Sequence, residues 1–224
     1  MVIPRIDELL AVRAEQVGAQ PFIRTAHTTI TFAQCQRAVS ALATALAPHR
    51  VAGRFVGVCA PNCPAFVVSY FAVLRAGGMV VPLNPKLGAE ELAYIARDAN
   101  LAGVLHVPSS TPVPDCAPAI LLDDAAVGTV LLSGTPTSWC GKEPVFPQSL
   151  RDVAVCIYTS GTTGHPKGAL LTHASLLHNA RICAAGLQST NGTECFVTVL
   201  PLFHAFAASA CMLQALWVSS SMLL

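Results

Sequence analysis

Charge is what this sequence has least of. Its 13 Lys+Arg and 12 Asp+Glu make 11% of 224 residues, against roughly 25% in an average soluble domain. The net charge of +1 leaves no basic excess to neutralise phosphates, which excludes nucleic acid as a partner class. An apolar fraction of 53% and a mean hydropathy of +0.57 exclude a disordered chain. There is no heptad pattern and no internal repeat, and glycine is limited to 15 residues; coiled-coil and collagen-like chains are thereby excluded. No Cys-x-x-Cys occurs among the nine cysteines. Most of them lie inside apolar runs such as FVGVCA and VAVCIY, and they read as buried free thiols rather than disulfide or metal ligands. The N-terminus, MVIPRIDELL, carries Asp7 and Glu8 and lacks a long apolar core, so a cytoplasmic protein is expected rather than a secreted one.

Low charge has three explanations: a membrane protein, an α/β protein whose parallel strands are buried on both faces, or part of a larger fold with more core than surface. The length suits one or two domains. Residues 5–17 have the spacing of an amphipathic helix. Short strands follow near 21–25 and 28–32. Thr31 and Gln34 match a capping box that opens a helix to about 47. Strands at 55–60, 79–84 and 103–107 alternate with helices at 63–76 and 88–99. That alternation predicts βαβ units and a parallel sheet.

The stretch 108–150 holds 7 of the 16 prolines, with short strands near 119–122 and 129–132, and reads as an irregular connector. Regular elements resume with strands at 153–158 and 168–172, a helix at 173–186, a strand at 195–200, a helix from Pro201 to about 216 and a final strand. The expected fold is α/β, with two incomplete βα subdomains and parallel or mixed sheets. The first spans 1–150 including the connector, and the second begins at 151–224. Residues 195–224 contain no Asp, Glu, Lys or Arg, and the last twenty are long enough to span a bilayer. Ser209, Gln214 and the serines at 219–221, with no basic flank, argue instead for a core helix and strand.

The most informative run is Thr159-Ser160-Gly161-Thr162-Thr163-Gly164-His165-Pro166-Lys167-Gly168. Its glycines permit close backbone approach to a ligand. Successive N–H groups can form an anion nest, and the hydroxyls add donors. Lys167, one of only three lysines, supplies a point charge suited to phosphate. The loop is not a Walker A motif: Pro166 precedes the lysine, and Gly168 follows it where a hydroxyl is needed. The residues alone leave open a plain surface turn between two strands.

With Tyr158 in front, the run resembles the signature phosphate loop of the adenylate-forming (AMP-binding) superfamily. Its members include acyl-CoA synthetases, luciferases of the firefly type and the adenylation domains of peptide synthetases. The resemblance continues in Pro61-Asn62, in Leu74-Arg75-Ala76-Gly77-Gly78, in Val81-Pro82-Leu83-Asn84-Pro85, in Leu171-Thr172-His173 and in Pro201-Leu202-Phe203-His204, so it covers nearly the whole chain.

The resemblance implies ATP-dependent activation of a small-molecule carboxylate, fatty or aryl, through an acyl-adenylate, with ATP, Mg2+ and coenzyme A as cofactors. It places the β- and γ-phosphates on Thr159, Ser160, Gly161, Thr162, Thr163, Gly164 and Lys167, and it places His204 by the acyl pocket. The family's Tyr-Gly-x-Thr-Glu and Thr-Gly-Asp segments and its catalytic lysine are not in these 224 residues. Asn191-Gly192-Thr193-Glu194 lacks the tyrosine and lies too early to replace the first of them. No catalytic residue is therefore assigned. The chain alone is expected to be an incompetent N-terminal fragment of such an enzyme. A peptide-synthetase adenylation fragment and a non-catalytic nucleotide-binding or interaction module are the alternatives. Neither His173 nor His178 has metal-ligand spacing, and both read as structural.

Overall fold

The computed structural model describes residues 5–108, 119–122, 132–133, 150–159 and 166–224. Helix α1 (Ile6–Val17) buries Ile6, Leu9 and Leu10. Strands β1 (Pro21–Arg24) and β2 (Thr29–Thr31) pair antiparallel. Helix α2 (Phe32–Leu46) begins at the expected capping box. Gln34 N–H donates to Thr31 Oγ1 at 3.2 Å, and Thr31 N–H donates to Gln34 Oε1 at 2.8 Å. The reciprocal pair satisfies amides that a helix start leaves without partners.

Strands β3 (Phe55–Cys59), β4 (Met79–Leu83) and β5 (Gly103–His106) alternate with helices α3 (Pro64–Arg75) and α4 (Ala89–Asp98). Every residue of α3 from Pro64 to Leu74 is buried, as expected of a helix that is apolar all round. It stops at Gly77, whose φ is +78°. There Gly78 N–H donates to Val73 O at 2.9 Å and Gly77 N–H to Leu74 O at 3.0 Å, a Schellman ending that needs the left-handed conformation glycine adopts freely.

Strands β6 (Ala119–Leu122) and β7 (Leu132–Ser133) precede β8 (Val153–Thr159), β9 (Lys167–Thr172), α5 (His173–Gly186) and β10 (Cys195–Val197). The expected helix from Pro201 starts later, as α6 (Ala205–Ala207). It continues as a π-helical stretch (Ala208–Leu213) and α7 (Gln214–Trp217), before β11 (Ser221–Leu223). Residues 201–204 form a turn instead, with His204 N–H donating to Pro201 O at 3.0 Å. The expected strand at 195–200 ends at Val197, opposite the last residue of its partner β11, and beyond it the carbonyls of Thr198 and Leu200 accept from the Asn62 side chain. Among the described residues no helix is long and apolar enough to cross a membrane.

The architecture is α/β with two mixed sheets. One has the order β7-β6-β5-β3-β4-β8-β9 and the other β10-β11-β1-β2. Only the β6–β7, β8–β9 and β1–β2 pairs run antiparallel. Both sheets draw strands from either side of residue 150.

Alternate residues of the large sheet point into two cores. Val56, Val58, Val80 and Val155 belong to the larger one, with α1, α2, α3 and α5. Cys59, Val81, Leu83 and Cys156 face the smaller one, which α4 covers with Leu92, Ile95, Ala96 and Ala99. Gly57 faces it too: a Cβ there would stand 2.8 Å from Leu83 Cδ1 and 3.1 Å from Val104 Cγ2.

The cysteine expectation needs a correction. Cys35, Cys59, Cys63 and Cys156 are buried free thiols, but Cys183 and Cys211 are half-buried and Cys195 is exposed. The last three sit on α5, on the π-helical stretch and on the edge strand β10, each with a solvent side. Cys116 and Cys140 lie outside the described residues.

Candidate active site

Strands β3, β4 and β8 run parallel, with Cys59 opposite Leu83 and Val80 opposite Val155. Their carboxyl ends therefore share one edge of the large sheet. Strand β9 returns antiparallel, so its first residue, Lys167, lies at that same edge opposite Thr159. Ligands of open α/β sheets bind outside the carboxyl ends of the strands. Thr159 and Lys167 are thus the two stems of the glycine- and threonine-rich loop. Both are exposed, and Lys167 makes no ion pair among the described residues. Ser160, Gly161, Thr162, Thr163 and Gly164 lie outside the described residues.

Helix α4 holds both stems. Tyr158 Oη donates to Asp98 Oδ2 at 2.5 Å, and Tyr94 Oη donates to Pro166 O at 3.4 Å. Burial, and next the bond to Asp98, hold the Tyr158 phenol well above its usual range, so it stays a neutral donor. Burial, reinforced by Asp98, pushes the Cys156 thiol up to about 11. Gly168 lets the two strands close under the tyrosine. A Cβ there would lie 2.6 Å from Cys156 Sγ and 3.3 Å from the Tyr158 ring.

His204 reaches the same edge by a different route. The turn after β3 carries Asn62, whose Nδ2 donates to Thr198 O at 3.1 Å and to Leu200 O at 3.0 Å. Its Oδ1 accepts from Leu202 N–H at 2.7 Å. The segment leading to His204 is thereby tied to the carboxyl end of β3, the strand beside β4. His204 caps the start of α6 and is exposed, its ring centroid 4.6 Å from that of Phe203. Exposed apolar side chains, Val199, Leu200 and Phe206, flank it in the chain. A π-helical turn follows within the next residues, a feature frequent beside functional sites.

Other polar residues are engaged elsewhere. Glu194 precedes β10, while the Asn62 contacts follow it. The Glu194 carboxylate accepts from Thr190 N–H at 2.7 Å. His173 is buried at the start of α5, and its Nδ1 accepts from Ile6 N–H at 3.2 Å. His178 is exposed on α5, 3.4 Å from Arg181. Sequence reasoning placed Asn62 in a turn but missed its bonds. It missed Asp98 and Tyr94 entirely, because their partners lie 60 and 72 residues away and no local pattern marks them.

Residues 10–224 match the family of AMP-binding enzymes. This chain belongs to that family. It is 33% identical over 207 residues to a feruloyl-CoA synthase of an Amycolatopsis species, an alignment that takes in 90% of this chain and 40% of the relative. A long-chain-fatty-acid–CoA ligase of Bacillus subtilis is 29% identical over 210 residues, covering 77% of this chain and 37% of the ligase. The solved long-chain-fatty-acid–CoA ligase of Archaeoglobus fulgidus superposes with a TM-score of 0.78 at 24% identity, over all of this chain and 48% of that one. The AMP-binding chain described here thus spans less than half the length of these relatives.

Proposed function

We propose that this chain contributes the triphosphate-binding and acid-facing parts of an enzyme that activates a carboxylic acid with ATP. The carboxylate attacks the α-phosphorus, pyrophosphate leaves, and the acyl-adenylate then passes its acyl group to the thiol of coenzyme A. The observation that carries this reading is the shared sheet edge. It brings the loop stems, Thr159 and Lys167, to the side on which Asn62 holds the segment bearing His204.

The chemistry needs positive charge and N–H donors where the β- and γ-phosphates depart. Lys167 supplies the charge, and residues 159–164 supply hydroxyls and a glycine-rich backbone. The exposed apolar residues around His204 suit an acid with an apolar or aromatic tail, in keeping with the feruloyl and fatty-acyl relatives. Among the described residues no group of three or more His, Cys, Asp or Glu side chains is placed to hold a metal ion.

The test is acid-dependent exchange of labelled pyrophosphate into ATP, run on the protein as purified from its source cells and on residues 1–224 alone. Hydroxycinnamic and fatty acids serve as substrates. Exchange by the source protein with at least one acid class, and none by the 224-residue chain, is the expected result. Absence of exchange with every acid would overturn the reading. Exchange by residues 1–224 alone would overturn their expected incompetence.

A further inference from the structure

Between β10 and α6 the backbone runs from buried Thr198 to buried Leu202 through two exposed residues. Val199 is 85% and Leu200 51% exposed, and Pro201 has no N–H to donate. Thr198 O, Leu200 O and Leu202 N–H have no partner other than Asn62 among the described residues. The Asn62 side chain lies 136 to 140 residues away in sequence. It meets all three groups with two donors and one acceptor.

Only a primary amide has that complement. A carboxylate would lose both donations and set a negative charge against two carbonyls. From Leu202 the constraint passes through one further bond, His204 N–H to Pro201 O, which closes the turn that aims His204.

We propose that Asn62 is a positioning residue for the acid site: it fixes where His204 stands relative to the sheet edge bearing Thr159 and Lys167. The inference rests on the adenylation reading above. It gives the Pro61-Asn62 turn a role in acid recognition and not in nucleotide binding. Thr198 and Leu202 are buried, but Val199 and Leu200 between them are exposed, so the Asn62 bonds fix the path of the chain where packing does not.

The experiment compares wild type, Asn62→Ala, Asn62→Asp, His204→Ala and the Asn62→Ala/His204→Ala double variant of the purified source protein. Pyrophosphate exchange gives KM for acid and for ATP, and amide hydrogen exchange is followed at Leu202 and His204. Both Asn62 variants are expected to raise the acid KM about tenfold or more, with the ATP KM within twofold. Their amides at 202 and 204 should exchange faster, while those of β3–β5 stay protected. In the His204→Ala background, Asn62→Ala should add little to the acid KM.

An unchanged acid KM, or an equal rise in both KM values, would overturn the inference and leave adenylation standing. A wild-type protein without exchange would overturn adenylation itself. The amides would then decide the positioning, which is refuted if Asn62→Ala leaves exchange at Leu202 and His204 unchanged.

Discussion

Tyr158 donates its phenolic hydrogen to Asp98 at 2.5 Å, joining the last residues before the glycine- and threonine-rich loop to the end of helix α4. A hydrogen bond to a charged acceptor contributes about 1.5–3 kcal/mol, and the exposure of Asp98 brings this one toward the low end. Tyr158→Phe and Asp98→Asn should each lower stability by about 1 kcal/mol. The double variant should cost little more than either single one. Urea unfolding of the four proteins measures this coupling. Additive losses would mean that the two side chains contribute independently.

Gly168 is the other half of that stem. An alanine methyl at 168 would fall 2.6 Å from Cys156 Sγ, and Cys156 is buried with little room to retreat. Gly168→Ala should therefore cost about 1–3 kcal/mol through overpacking. Cys156→Ala removes the nearest atom, so the same change should cost clearly less in that background. Equal penalties in both backgrounds would place the conflict at the Tyr158 ring, 3.3 Å away.

Lys167 stands at the loop's second stem, exposed and without an ion pair among the described residues. Loss of one charged hydrogen bond to phosphate costs about 1.5–3 kcal/mol, or roughly 10–100-fold in affinity. Lys167→Met should weaken ATP binding by that factor while leaving the unfolding midpoint nearly unchanged. Titration calorimetry of the source protein with ATP checks it. An unaltered dissociation constant would remove Lys167 from the proposed phosphate site.

Much of the framework was legible because it is locally encoded. The Thr31–Gln34 box, the apolar runs of β3, β4 and β8 and the Gly77-Gly78 stop each announce themselves within a few residues. Lys167 could be singled out because lysine is scarce and the loop's composition unusual. What periodicity could not convey was pairing between distant segments. Nothing local says that β10 and β11 complete the sheet of β1 and β2, or that β9 folds back beside β8. The strand expected at 195–200 stops at Val197 for the same reason: its partner β11 ends there, and Asn62, far upstream, takes up the carbonyls of Thr198 and Leu200 beyond it. The final helix runs on through a π-helical stretch that no composition cue marks, and Met212 and Leu213 within it lie in the core.

His173 ties the start of helix α1 to the start of helix α5, and its protonation should set part of the acid stability. Its Nδ1 accepts from Ile6 N–H, its backbone N–H donates to Asp152 O, and its Nε2 is buried without a partner. Burial, aided by the positive charge of Arg5, lowers its pKa from 6.5 to about 4. Between those two values the unfolded chain binds the proton and the folded one does not. Stability is therefore fully present above about pH 6.5 and is lost as pH falls toward 4, by at most about 3 kcal/mol at 1.36 kcal/mol per unit. His49 and His106, also lowered by burial, add to the same slope. Asp7, raised by burial, opposes it at the acid end. His173→Asn keeps an acceptor for the Ile6 N–H without the titration, so it should flatten the profile between pH 4 and 6.5 and leave the other histidines' share. Urea midpoints measured across that range for both proteins test this. Parallel profiles would show that His173 contributes no proton uptake between pH 6.5 and 4 and that the acid lability lies elsewhere.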